Sequence, residues 1–136
     1  MHVWLFQAND EFIITESVLP QLGQVEDWFP KIHLKTMEAG DSVVLWQAAA
    51  GGLKPGVYGL AELDGKPYQY IDEEEYRVKI RYTRLLEHPV LKCDLLEHPL
   101  LCKLQILKMP FGANPFLVTE QEWVALEKLI CQENVG

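Results

Sequence analysis

Trp46 and Gln47 end a run of β-prone residues, SVVLWQ at 42–47, and stand at the edge of a small-residue stretch, 48–56, broken by Gly51, Gly52, Pro55 and Gly56. An indole beside a carboxamide offers a flat apolar surface and directional hydrogen bonds, which suits a planar polar ligand. Trp28 lies in a segment of weak periodicity, 25–32, where a pocket wall and a core position are both open readings. Trp4 and Trp123 fall at apolar positions of predicted elements and read as core. Asn114, in GAN before Pro115, reads either as a turn former or as a further pocket amide.

The chain lacks the groupings that catalysis or metal binding needs. It has no G-x-S-x-G elbow, no phosphate-binding glycine loop and no H-x-E with P-C-x-x-C. His88, Cys93, His98 and Cys102 match no standard zinc spacing, and both histidines precede prolines in turns. The expectation is therefore no catalytic residue, no metal and no cofactor.

Charge narrows the partners. The formal net charge is −8, which disfavours non-specific binding of polyanions. A nucleic-acid role must rest on a local basic patch or on one extracted nucleotide. YRVKIRYTRLL at 76–86 alternates, placing Tyr76, Val78, Ile80 and Tyr82 on one face and Arg77, Lys79, Arg81 and Thr83 on the other. That outer face reads as a solubilising charged surface or as a phosphate-facing stripe. The acidic run at 72–75 reads as a solvated loop.

These groups need a scaffold, and 136 residues at 49% hydrophobic supply one domain, taken as 1–136, with a real core. The runs 42–47 and 57–63 predict a β-hairpin with a long connection, entered by a tight turn at Gly40-Asp41. Residues 2–8 read as a first strand, 15–22 as a short helix capped by Thr15 and stopped by Pro20, and 25–32 as extended or irregular. One helical turn is expected at 35–39 and short helical turns at 94–97 and 99–103. Strands are expected at 104–108 and 116–118, with a loop at 109–114 between them. Residues 119–131 form the clearest helix, with Thr119 and Glu122 as a capping box and Trp123, Leu126, Leu129 and Ile130 on one face. The LLEHP echo at 85–89 and 95–99 is too short to make a repeat protein. Three cysteines, an odd count, fit reduced thiols in the cytoplasm, and no run approaches the ~20 apolar residues of a membrane span.

In this order the motifs resemble an EVE domain, of the PUA-like superfamily that also holds YTH and ASCH domains. The resemblance runs from Trp4 to about Leu129: VWLFQAND, then Trp28, GDSVVLWQ, GVYGLAEL, YRVKIRYTRLL, HPLL and FGANPFLVTEQEWVALEKL. It implies an α+β fold, a small curved β-barrel with peripheral helices. It also implies a binding module for one flipped, modified base, a modified cytosine in DNA or a modified base in RNA.

Carried over residue by residue, the resemblance assigns Asn9, Trp28, Trp46, Gln47 and Tyr58 to the ligand, with Trp28 and Trp46 flanking or sandwiching it, and Asn114 joins them as a candidate pocket amide. Where longer members carry an N-R-x-x-Q/A-R-like segment, this chain has FPKIHLKTM, with Lys31, His33 and Lys35. Lys31 and Lys35 join Arg77, Lys79 and Arg81 as candidate phosphate contacts. GLKPG at 52–56 lacks the acid of the ASCH amidohydrolase motif, so an enzyme acting on a modified nucleoside is the alternative, beside a protein-interaction module. The expected partner is a modified nucleic acid or nucleoside, with no membrane.

Overall fold

The computed structural model describes residues 1–8 and 22–134. Six strands form one mixed sheet: β1 (Val3–Ala8), β2 (Val25–Trp28), β3 (Ser42–Gln47), β4 (Gly56–Leu63), β5 (Val78–Leu91) and β6 (Phe116–Val118), in the order β2-β5-β4-β3-β1-β6. β1 runs parallel to β3, and the other neighbours are antiparallel. The helices are α1 (Lys92–Glu97), α2 (Gln105–Lys108) and α3 (Glu120–Glu133), with a 3-10 turn at Leu101–Lys103.

Period-2 alternation sends side chains to both faces of the sheet, and the central strands β1 and β3 are buried on both. Leu5, Val44, Trp46, Val57 and Val90 pack under Leu101, Leu104, Leu126 and Ile130 from the helical side. Trp4, Phe6, Val43, Leu45, Ile80 and Tyr82 form a second core on the opposite face. That second face has few helices to cover it, so the sheet covers itself by curling. In a flat sheet β2 and β1 would stand ~19 Å apart, four strand spacings. Instead the Trp28 and Phe6 rings meet edge to face with centroids 5.8 Å apart. At the same end the Lys31 and Ile32 N–H groups donate to the Asn114 carbonyl at 2.9 and 3.3 Å, joining the segments beyond the two edge strands. The result is the expected curved, half-closed barrel with peripheral helices.

The family motifs serve this architecture. Gly40 has φ +88°, which favours glycine, and its N–H bonds to the Leu63 carbonyl at 2.8 Å. The buried Asp41 carboxylate accepts from the Trp4 indole at 3.0 Å and from the N–H groups of His2 and Glu38. A Cβ on Gly56 would stand 2.5 Å from the Val90 carbonyl oxygen, so only glycine lets β4 approach β5 there.

Several expectations are corrected. The strand expected at 104–108 is instead the short helix α2 over Gln105–Lys108, preceded by Leu104. β5 continues past Leu86 through His88 and Pro89 to Leu91. It bulges against β4, where Gly59 pairs with Leu85 and Val57 with Val90. The Asn134 side chain satisfies the bulge, accepting from His88 N–H and donating to His88 C=O. The turn expected at 35–39 begins earlier, with Thr36 and Met37 N–H groups donating to His33 C=O. The helix expected at 15–22 lies outside the described residues up to position 21. The capping box at Thr119 and Glu122 is present as read. Among the described residues no helix is long and apolar enough to cross a membrane.

Candidate nucleobase site

β1 and β3 end together, with Ala8 opposite Gln47. Gln47 is fully buried, and its amide donates to the Ala48 carbonyl at 3.0 Å and the Ala8 carbonyl at 3.4 Å. Beside it, the Asn114 side chain continues the ladder of β6. Its Oδ1 accepts from Gln7 N–H at 2.7 Å and its Nδ2 donates to Gln7 C=O at 2.9 Å. The Asn114 carbonyl meanwhile takes the two N–H groups that follow β2. One asparagine thus ties β1, β6 and the chain beyond Trp28 around the open end of the curled face.

Trp28 is 8% exposed and packs on that inner face. Its indole N–H donates to the Tyr82 hydroxyl at 3.0 Å, and Tyr82 donates to Glu26 at 2.8 Å. Burial pushes the Tyr82 hydroxyl well above its ordinary pKa; donation from Trp28 lowers it and Glu26 raises it further. Tyr82 therefore stays protonated and keeps donating.

Trp46 is 3% exposed and packs on the helical side. The two tryptophans lie on opposite faces of the sheet, so no planar ligand stacks between them. This corrects the expected sandwich: alternation along β3 sends Trp46 one way and Gln47 the other. Gln47 ends β3 and Asn114 stands against Gln7 of β1, and the Asn114 carbonyl joins to them the chain that follows Trp28. Tyr58 stays apart, its hydroxyl donating to the Lys54 carbonyl at 2.7 Å across the hairpin connection. Asn9 lies outside the described residues.

The basic stripe on β5 is also corrected. Arg77 pairs with Glu73 at 2.7 Å and Asp27 at 3.3 Å, Lys79 with Asp27 at 3.5 Å, and Arg81 with Glu62 at 3.6 Å and with Asp64. Three cations thus face four carboxylates, which leaves no surplus positive charge for a phosphate. Tyr70 and Phe29 stack on the Arg77 guanidinium and Tyr68 on the Lys79 ammonium. Burial works to raise the Asp27 carboxyl, but the Tyr68 hydrogen bond with Lys79 and Arg77 outweighs it, holding the group below the ordinary carboxylate value. Lys31 and Lys35 are exposed and make no ion pair among the described residues.

His98 is engaged locally, its Nδ1 accepting the N–H groups of Leu100 and Leu101. A groove of about 630 Å³ runs along α3 between His98 and Lys128 and includes none of the expected site residues. Its size reflects an open helix flank rather than convergent polar chemistry.

The EVE domain family model matches residues 2–129. The chain belongs to the EVE domain family. A comparison with curated proteins returns no match. Among solved structures, a hypothetical protein of Leishmania major superposes with a TM-score of 0.78 at 16% identity, covering 97% of this chain and 96% of that one. A protein of Rhodopseudomonas palustris reaches 0.76 at 21% identity, over 98% and 93%. Human THYN1, solved in complex with DNA containing 5-methylcytosine, reaches 0.70 at 14% identity, over 96% and 98%. These likenesses establish the PUA-like fold of this EVE domain.

Sequence reasoning missed the Tyr82–Trp28 hydrogen bond and the ring-closing role of Asn114. Tyr82 stands at an inward position of the alternating strand, and that alternation was the available signal. Nothing local marks Asn114 as the partner of Gln7, which is 107 positions away.

Proposed function

We propose that this EVE domain binds one modified nucleobase at the open end of its curled inner face and performs no chemistry on it. The supporting observation is that Asn114 joins the chain just after Trp28 to the end of β1, where Gln47 ends the neighbouring strand. Human THYN1, of the same fold, is known in complex with DNA carrying 5-methylcytosine. A modified cytosine in DNA is the leading ligand, and a modified base in RNA uses the same chemistry. Three free cysteines fit a reducing, cytoplasmic setting.

The test is titration of 5-methylcytosine, other modified bases and their unmodified parents, as nucleosides and within short oligonucleotides. Preference for a modified base, without turnover, is the expected result; equal affinity for modified and unmodified bases would sink the reading. Trp28→Ala is a poor probe, because removing a buried tryptophan costs ~3–5 kcal/mol and threatens the fold. Trp28→Phe keeps a ring and should weaken the modified base about tenfold while the domain stays folded. A folded Trp28→Phe protein with wild-type affinity would remove Trp28 from the site.

A further inference from the structure

Two stretches, 42–61 and 98–119, contain no Asp or Glu, although those residues number 20 in the chain. The fold brings the two stretches together across a cleft of about 280 Å³ on the helical side of the sheet. Ala49 and Pro55 line it from the first stretch and Leu107 and Phe111 from the second, with Trp46 and Lys92 between them. No carboxylate lines the cleft among the described residues. Lys92 N–H bonds to the Pro55 carbonyl at 2.9 Å, which sets Lys54 beside it, and Lys108 follows Leu107. None of these lysines makes an ion pair among the described residues. The nearest acid in sequence, Asp94, has its carboxylate 3.4 Å from Leu91 N–H. Phe111 is fully exposed at the tip of its loop. A bare aromatic ring at an apolar cleft lined by Lys92, and by no carboxylate among the described residues, matches a nucleotide in both parts, base and phosphate.

The cleft backs directly onto the candidate base site. Trp46 and Gln7 line it, while their neighbours Gln47 and Ala8 end the same strands at the open end of the inner face. Resting on the modified-base reading above, we propose that this cleft is a second nucleotide subsite. It takes the nucleotide next to the recognised base in a single-stranded or locally opened nucleic acid. The flanking base lies against Phe111, and its phosphate meets Lys92 with Lys54 and Lys108. The natural ligand is then a strand and not a free nucleoside, and the cleft grips any flanking base because every base has a stacking face.

The experiment compares three probes: 5-methyl-2′-deoxycytidine, a short single strand with one central 5-methylcytosine, and the unmodified strand. Phe111→Ala should weaken both strands roughly 5- to 150-fold, the loss of one stacked base at ~1–3 kcal/mol, and leave the nucleoside unchanged. Lys54→Ala/Lys92→Ala/Lys108→Ala should flatten the salt dependence of strand binding by ~0.7 units, the share of one phosphate of a single strand. Phe111 is exposed, so its loss leaves the fold intact, and Phe111→Trp should restore strand affinity. If wild type binds the nucleoside and both variants keep full strand affinity, the cleft proposal fails alone. Equal weakening of nucleoside and strand by Phe111→Ala would instead assign the cleft to the base site and overturn a separate subsite. A wild type that binds none of the three probes overturns this proposal together with the base reading.

Discussion

Two regions of this EVE domain carry clustered cations, and they have opposite electrostatic fates. Along β5 and the residue before it, Arg77, Lys79 and Arg81 are read as a stripe from sequence, yet they meet carboxylates from β2, β4 and the β4–β5 connection. At the cleft, Lys92 lines the wall, Lys54 and Lys108 adjoin lining residues in sequence, and none meets a carboxylate among the described residues. Alternation along a strand reports which way a cation points, but not what stands opposite it. An acid-free stretch reports something stronger, because no local carboxylate is there to pair. In a chain of net charge −8, the place of positive charge that no carboxylate faces bears directly on where a polyanion is received.

The largest change should come from making the stripe resemble the cleft. Asp27→Asn/Glu62→Gln/Asp64→Asn releases Lys79 and Arg81 while Arg77 keeps Glu73. The unmodified strand should then bind several-fold tighter at low salt, with a salt slope steeper by roughly 1.4 units, ~0.7 for each released cation. An unchanged slope would show that pairing is not what silences the stripe.

The reverse substitution, Arg77→Ala/Lys79→Ala/Arg81→Ala, should leave strand affinity within about twofold of wild type, since no free charge is removed. Its effect should appear as a lower melting temperature. A flattened salt slope in this variant would return the stripe to the binding surface.

A smaller effect concerns pH. The folded Asp27 carboxyl titrates below its ordinary value. Its pairing therefore contributes stability that is present above the unfolded pKa of about 3.9 and is lost as pH falls through the folded value. Asp27→Asn should cost less than ~1 kcal/mol at neutral pH and show a flatter stability profile on acidification below about pH 4. Chemical denaturation across that range measures it, and identical slopes for both proteins would contradict the assignment. The smallest effect belongs to the cleft lysines, whose removal should move stability by no more than ~0.5 kcal/mol, as for surface sites without partners.

Much of the architecture was legible because local rules decide it. Alternation placed Val78, Ile80 and Tyr82 inward on β5, and all three are buried. The Thr119–Glu122 box began α3 where expected. The apolar run at 104–108 was misread because Leu104 and Ile106, two apart, satisfy a strand pattern as well as one helical turn. For the candidate site, Gln47 and Asn114 could be named as amides near loops, but their partners could not.

What the sequence by itself determined is the set of surfaces: the two faces of each strand, the cap of α3, the positive-φ turn at Gly40 and the acid-free stretches. These depend on spacing and residue type within a few positions. Only the tertiary structure decided which surfaces meet. It brought Trp28 against Phe6 by curling the sheet, set Asn114 against Gln7 and the chain after β2, and matched Arg77, Lys79 and Arg81 to acids. Those outcomes follow from hydrogen bonds and ion pairs between residues up to 107 positions apart. Their geometry exists only once the strands have registered and the barrel has closed.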